Sequence, residues 1–89
     1  MKQRPLELLV LYHIWKKPNI NKYQIEKDIG STHYSKVWEC VKRLLEKDMI
    51  KGIESVNKNN QFTTLYTMKK SFNNFEDLFL WYIERHQNG

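Results

Sequence analysis

Residues 30–50, GSTHYSKVWECVKRLLEKDMI, constrain this chain more than any other stretch. At a helical period Tyr34, Val37, Val41, Leu44 and Leu45 fall on one face, and Thr32, Ser35, Lys36, Glu39, Lys42 and Arg43 fall opposite. Such a helix needs an apolar layer beneath it and leaves a polar, basic face open. The open set can donate to phosphates and to base edges. The plainer reading is an ordinary amphipathic helix with a solvated outer side, and the flanking segments weigh between the two.

Upstream, Pro5 suits a first helical position, and the segment from there to Lys17 is apolar almost all round, with Leu6, Leu8, Leu9, Val10, Leu11, Ile14 and Trp15 on more than one face. A helix of that kind must be covered on two sides. Pro18 stops it. Asn21 then opens a second helix with Gln24 three residues on, a capping-box pattern, and Ile20 and Ile25 stand where a hydrophobic staple closes. Gly30 ends that helix through a left-handed cap. Helices two and three are therefore joined by a short turn containing glycine, which is helix-turn-helix spacing.

Downstream the period changes to two. Lys51–Val56 and Phe62–Met68 are rich in β-branched and aromatic residues, and Asn57, Lys58, Asn59, Asn60 and Gln61 lie between them, which predicts a hairpin with a polar tip. A hairpin directly after a third helix is the arrangement of a winged helix. From Asn73 or Asn74 a fourth helix begins, with Glu76 and Asp77 in its first turn and Arg85 and His86 in its last, matching the helix dipole. Phe75, Leu78, Phe79, Tyr82 and His86 make its stripe. Leu80, Trp81 and Ile83 lie off that stripe, more apolar surface than one subunit covers.

A chain of 89 residues is one unit that buries only roughly 60–65% of the surface its unfolded form exposes, so an oligomer interface would help it. With 40% hydrophobic residues it has material for a core. No apolar run approaches the ~20 residues of a membrane span, and no small-residue cleavage site follows Leu6–Trp15. One cysteine excludes an intrachain disulfide and fits a reducing, cytoplasmic compartment. The net charge is +5; residues 73–89 hold Glu76, Asp77, Glu84 and Arg85, net −2, which leaves +7 for residues 1–72. The cationic part favours a polyanion, and nucleic acid fits better than a membrane because no helix shows a Lys/Arg-flanked insertion face.

The string V-x-x-x-V-K-R-L-L-E-K-D-M-I, Val37 to Ile50, resembles the recognition-helix signature of winged-helix transcription regulators of the MarR, ArsR and especially PadR-like kinds. LELLVLYHIWKKPNINKYQIEKDIG is similar to the first two helices of the PadR-like group, and LYTMKK to the strand that closes the wing. The resemblance covers residues 6–70 and is a pattern of apolar positions. Asp48 stands where the group usually has glycine, which requires Asp48 to adopt the left-handed conformation. The resemblance implies a homodimer that binds a two-fold-related DNA site and usually represses transcription.

Nothing in the chain reads as an enzyme. His13, His33 and His86 are isolated from any repeating ligand spacing, so neither a metal nor a cofactor is expected. Some ArsR-type sensors place paired cysteines on this helix, but here Cys40 has no second cysteine and reads as a small packed hydrophobe before a redox thiol. Trp38 borders both faces of its helix, where it either packs on the second helix or touches sugar-phosphate.

Taken together these readings predict a mainly α, α+β chain: a winged helix-turn-helix over residues 1–72, with three core helices and a hairpin wing, followed by a C-terminal dimerisation helix over residues 73–89. It would be a nucleoid-associated homodimer regulating transcription by sequence-specific binding to duplex DNA. Thr32, Ser35, Lys36, Glu39, Lys42 and Arg43 would face the major groove, and Asn57, Lys58, Asn59 and Asn60 the backbone or minor groove. Leu8, Leu11, Trp15, Phe79, Leu80, Trp81 and Ile83 would form the dimer contact. Two other readings use the same fold: a protein-recognition module, and a sequence-neutral architectural protein.

Overall fold

Proline lacks the N–H that a first helical position leaves unpaired anyway, and α1 (Pro5–Lys16) begins there. The helix ends one residue after Trp15. Pro18 and Asn19, the latter at φ 64°, turn the chain into a two-residue strand, β1 (Ile20–Asn21). The computed structural model describes residues 5–30 and 34–88 of the chain. Its remaining elements are α2 (Lys22–Ile29), α3 (Tyr34–Glu46), β2 (Ile50–Val56), β3 (Phe62–Met68) and α4 (Phe75–Asn88). The described residues thus form an α+β fold, with four helices and one antiparallel three-stranded sheet of order β1-β3-β2. β1 is the element the sequence pattern does not reveal. At two residues it is too short for any period, and it exists because Ile20 and Asn21 pair with Tyr66 and Leu65.

Local chemistry fixes the helix ends. Asn21 Oδ1 accepts from the Gln24 backbone N–H at 2.8 Å, capping α2. The Gln24 side chain does not turn back to the cap; it donates to Asp28 Oδ1 at 2.8 Å, and Lys17 pairs with the other Asp28 oxygen at 2.9 Å. Gly30, at φ 71°, closes α2 by donating to the Glu26 and Lys27 carbonyls. α3 ends in a Schellman arrangement, with Met49 N–H donating to the Leu44 carbonyl and Asp48 N–H to that of Leu45. Asp48 holds the left-handed position at φ 60°, as its place in the sequence requires. Asn74 Oδ1 caps α4 by accepting from Asp77 N–H at 2.9 Å.

One core serves all these elements. α1 contributes Val10, Leu11 and Ile14, α3 contributes Val37, Val41 and Leu44, and α4 contributes Leu78 and Tyr82, all buried. Ile20, Ile25, Met49, Ile50 and Tyr66 complete it. α1 packs against α2, α3, α4 and β3, which is how an all-round apolar helix is covered. Truncating one of these side chains, Leu44→Ala for instance, removes burial and leaves a void, at a cost of about 2–5 kcal/mol.

The hairpin leaves this core as it runs to its tip. Cross-strand partners share a face, so Ile50, Gly52, Glu54 and Val56 lie on the same side as Met68, Tyr66, Thr64 and Phe62. Along that side exposure rises from 1% at Ile50 to 52% at Val56 and 82% at Phe62. Gly52 permits the packing at its base: a Cβ there would stand 2.8 Å from the Thr64 methyl and 3.4 Å from the Tyr66 ring. Burial pushes the Tyr66 phenol above its ordinary pKa.

Candidate nucleic-acid interface

Helical geometry places Ser35, Lys36, Glu39, Lys42 and Glu46 on the outward side of α3, and all of them are exposed. Thr32 lies outside the described residues. Arg43 departs from the expected placement on this face. Its Nε donates to Glu7 Oε2 at 2.8 Å, while Lys47 Nζ donates to Glu7 Oε1 at 2.7 Å. Arg43 Nη2 also lies 3.2 Å from the Cys40 sulfur. The pairing has a physical reason, because Glu7 is fully buried in α1 against α3 and a buried carboxylate holds the nearest cations.

Burial alone pushes the Glu7 carboxyl up, but hydrogen bonds from Lys47 and Arg43 and their charges more than offset this, and it is held below its ordinary range. The hydrogen bond to Glu7 in turn raises the Arg43 guanidinium further above its already high value. On the outward side of α3, the exposed Lys36 and Lys42 are therefore set against the exposed Glu39 and Glu46. Cys40 is buried, as a packed hydrophobe would be.

The hairpin tip is built by Asn57. Its Oδ1 accepts from Asn59 N–H at 2.9 Å and from Gln61 N–H at 3.0 Å, and its backbone N–H donates to the Gln61 carbonyl. Asn60 takes the left-handed conformation at φ 60°. The Asn57 oxygen is thus engaged in forming the turn, whereas Lys58, Asn59 and Asn60 are displayed at the tip.

Between the hairpin and the helices lies an open groove of about 250 Å³, lined by Lys22 and Tyr23 of α2, Trp38 of α3, Glu54 of β2, and Phe62, Thr63, Thr64 and Tyr66 of β3. Trp38 is about one third exposed, Tyr23 72% and Phe62 82%. Lys22 Nζ stands 5.0 Å from the Trp38 ring centre and 5.5 Å from that of Tyr23, and Lys42 Nζ stands 6.0 Å from Trp38, all within cation–π range. Of these residues the sequence reading singled out only Trp38 and Lys42. Tyr23, Phe62 and Lys22 carry no motif; the available signal was a large aromatic at each of two element ends, where a core has no use for it.

Exposed apolar side chains also lie on α1 and α4. Leu80 is 59% exposed, and Leu9, Phe75 and Phe79 are each exposed by about two fifths. Phe75 stacks on Phe79 and meets Tyr12 edge-on. Leu8, Trp15, Trp81 and Ile83 are partly buried against the chain's own core. Trp15 Nε1 donates to the Phe72 carbonyl at 3.1 Å, and Trp81 packs on Phe72 and under Arg85. Leu11, expected in the same contact, is fully buried in the chain's own core.

Among the described residues no cluster of His, Cys, Asp and Glu could hold a metal ion, and no helix is long and apolar enough to cross a membrane. Comparison with protein-family models, curated proteins and solved structures finds no match to this chain.

Proposed function

We propose that the chain is a winged helix-turn-helix protein that binds duplex DNA and regulates transcription, most simply as a repressor, as a homodimer on a two-fold-related site. In this reading α2 and α3 are the helix-turn-helix, β2 and β3 are the wing, and α4 is the dimerisation element. The observation that carries it is an exposed polar face on α3, Ser35, Lys36, Glu39 and Lys42, together with a hairpin whose tip displays Lys58, Asn59 and Asn60 and whose strand β3 shares a groove with α3 through Phe62 and Trp38. A helix of that kind fits a major groove while a hairpin beside it reaches the backbone or minor groove. Lys36 suits guanine or phosphate, Ser35 a phosphate or base edge, Glu39 a cytosine amino group, and Lys42 the backbone.

The net charge of +5 supports a polyanionic partner, and the exposed Leu80, Phe79, Phe75 and Leu9 support a second copy. Selection from a randomised duplex pool tests the reading. A selected site should bind at least ~10³-fold tighter than random duplex, with half-sites about one helical turn apart and affinity falling steeply with salt. Equal binding to all duplexes would leave only a sequence-neutral protein. One observation favours a second reading, protein recognition: Glu39 and Glu46 offset Lys36 and Lys42 on the outward face of α3. That reading requires partner binding that salt hardly alters.

A further inference from the structure

We infer that the groove between α3 and the hairpin receives an unpaired nucleobase, so that the preferred ligand is a duplex carrying a single-stranded end or gap. This rests on the duplex-binding reading above and adds to it a second determinant. The groove gathers rings from three separate elements, Tyr23 from α2, Trp38 from α3 and Phe62 from β3, and each is displayed to solvent outside the core. Tyr23 and Phe62, mostly exposed, add little to the core, and Trp38 keeps about a third of its surface open. They offer flat apolar faces, the platform on which bases stack irrespective of sequence.

In a paired duplex the faces of interior bases are already covered by their neighbours and a terminal base stays tied to its partner, so only an unpaired base can turn into such a groove. The charge pattern agrees. Lys22 and Lys42 sit over or beside the rings at 5.0–6.0 Å, where an ammonium reinforces stacking and also meets the phosphate attached to the stacked base. Glu54, the carboxylate in the groove, can accept from a base amino group. Lys42 lies on the outward face of α3 as well, so a strand leaving the helix face passes directly to the groove.

The test compares a blunt duplex with the same duplex bearing a short single-stranded overhang, with 2-aminopurine placed in the overhang as a stacking reporter. The overhang duplex should bind at least about fivefold tighter, with the 2-aminopurine emission quenched on binding. Phe62→Ala and Tyr23→Ala alter side chains too exposed to matter to the fold; each should abolish the preference and the quenching while blunt-duplex binding persists. Equal affinity for both duplexes with unquenched emission would overturn the groove assignment and leave the duplex-binding reading in place. Quenching of a probe inside the blunt duplex instead of the overhang would mean that the rings wedge between paired steps, and would also overturn it. No binding to either ligand would overturn both.

Discussion

Replacing Glu7 by glutamine is the perturbation whose effect the structure fixes most closely. The wild-type carboxylate is fully buried and accepts from Arg43 at 2.8 Å and from Lys47 at 2.7 Å. Hydrogen bonds to charged groups contribute a net of about 1.5–3 kcal/mol each. The two cations are 33% and 24% exposed, so in the variant water restores part of their hydration, and the sum is discounted to roughly 2–4 kcal/mol. Against a total stability of about 4–13 kcal/mol for a chain of this length, that is a large share. Thermal unfolding followed by circular dichroism should show Tm lowered by roughly 10–25 °C.

The acid limb gives an independent check. The folded Glu7 carboxyl is held below its ordinary range, so its contribution is complete above the unfolded carboxylate value of about 4.3 and is lost as pH falls through the lower folded value. Wild type should therefore lose stability more steeply than Glu7→Gln below about pH 4.3. A variant within about 1 kcal/mol of wild type, with an unchanged acid slope, would refute the reasoning and show that Arg43 and Lys47 are held by solvent instead of by Glu7.

Three further outcomes are expected. Lys36→Ala should change base preference by about 1–3 kcal/mol if the ammonium reads a base, whereas Lys58→Ala should weaken all duplexes alike and flatten the salt slope by about one unit, both read from one titration series. Leu80→Glu, at a 59% exposed position, should convert a sedimenting dimer to monomer with its circular dichroism unchanged, and weaken a two-fold site far more than a half-site; a wild type that is already monomeric on and off DNA would defeat the dimer proposal. Gly52→Val should destabilise by about 1–3 kcal/mol in denaturant titration, because its Cβ meets the Thr64 methyl at 2.8 Å and the Tyr66 ring at 3.4 Å; a neutral result would mean that the hairpin shifts freely.

What could be read from the sequence is what local interactions decide. The periods of 3.6 and 2, the Asn21 cap, an Asn cap at 73 or 74, the Gly30 stop and the left-handed Asp48 each depend on neighbours a few residues away, so residue order alone placed four helices and the hairpin. Which side of α3 is buried followed in the same way from Val37, Val41 and Leu44. Tertiary structure alone decided the rest. Arg43 looked outward on a helical period, yet it turns to Glu7, 36 positions earlier in the chain, because a carboxylate buried by α1 attracts the nearest cations of α3. Leu11 looked available for a partner and is enclosed by its own chain. β1 exists only through its pairing with β3, and the groove gathers Tyr23, Trp38 and Phe62 from three elements that no local period relates. Local pattern sets the backbone, whereas pairing of charges and rings depends on distances through space that only the packed chain establishes.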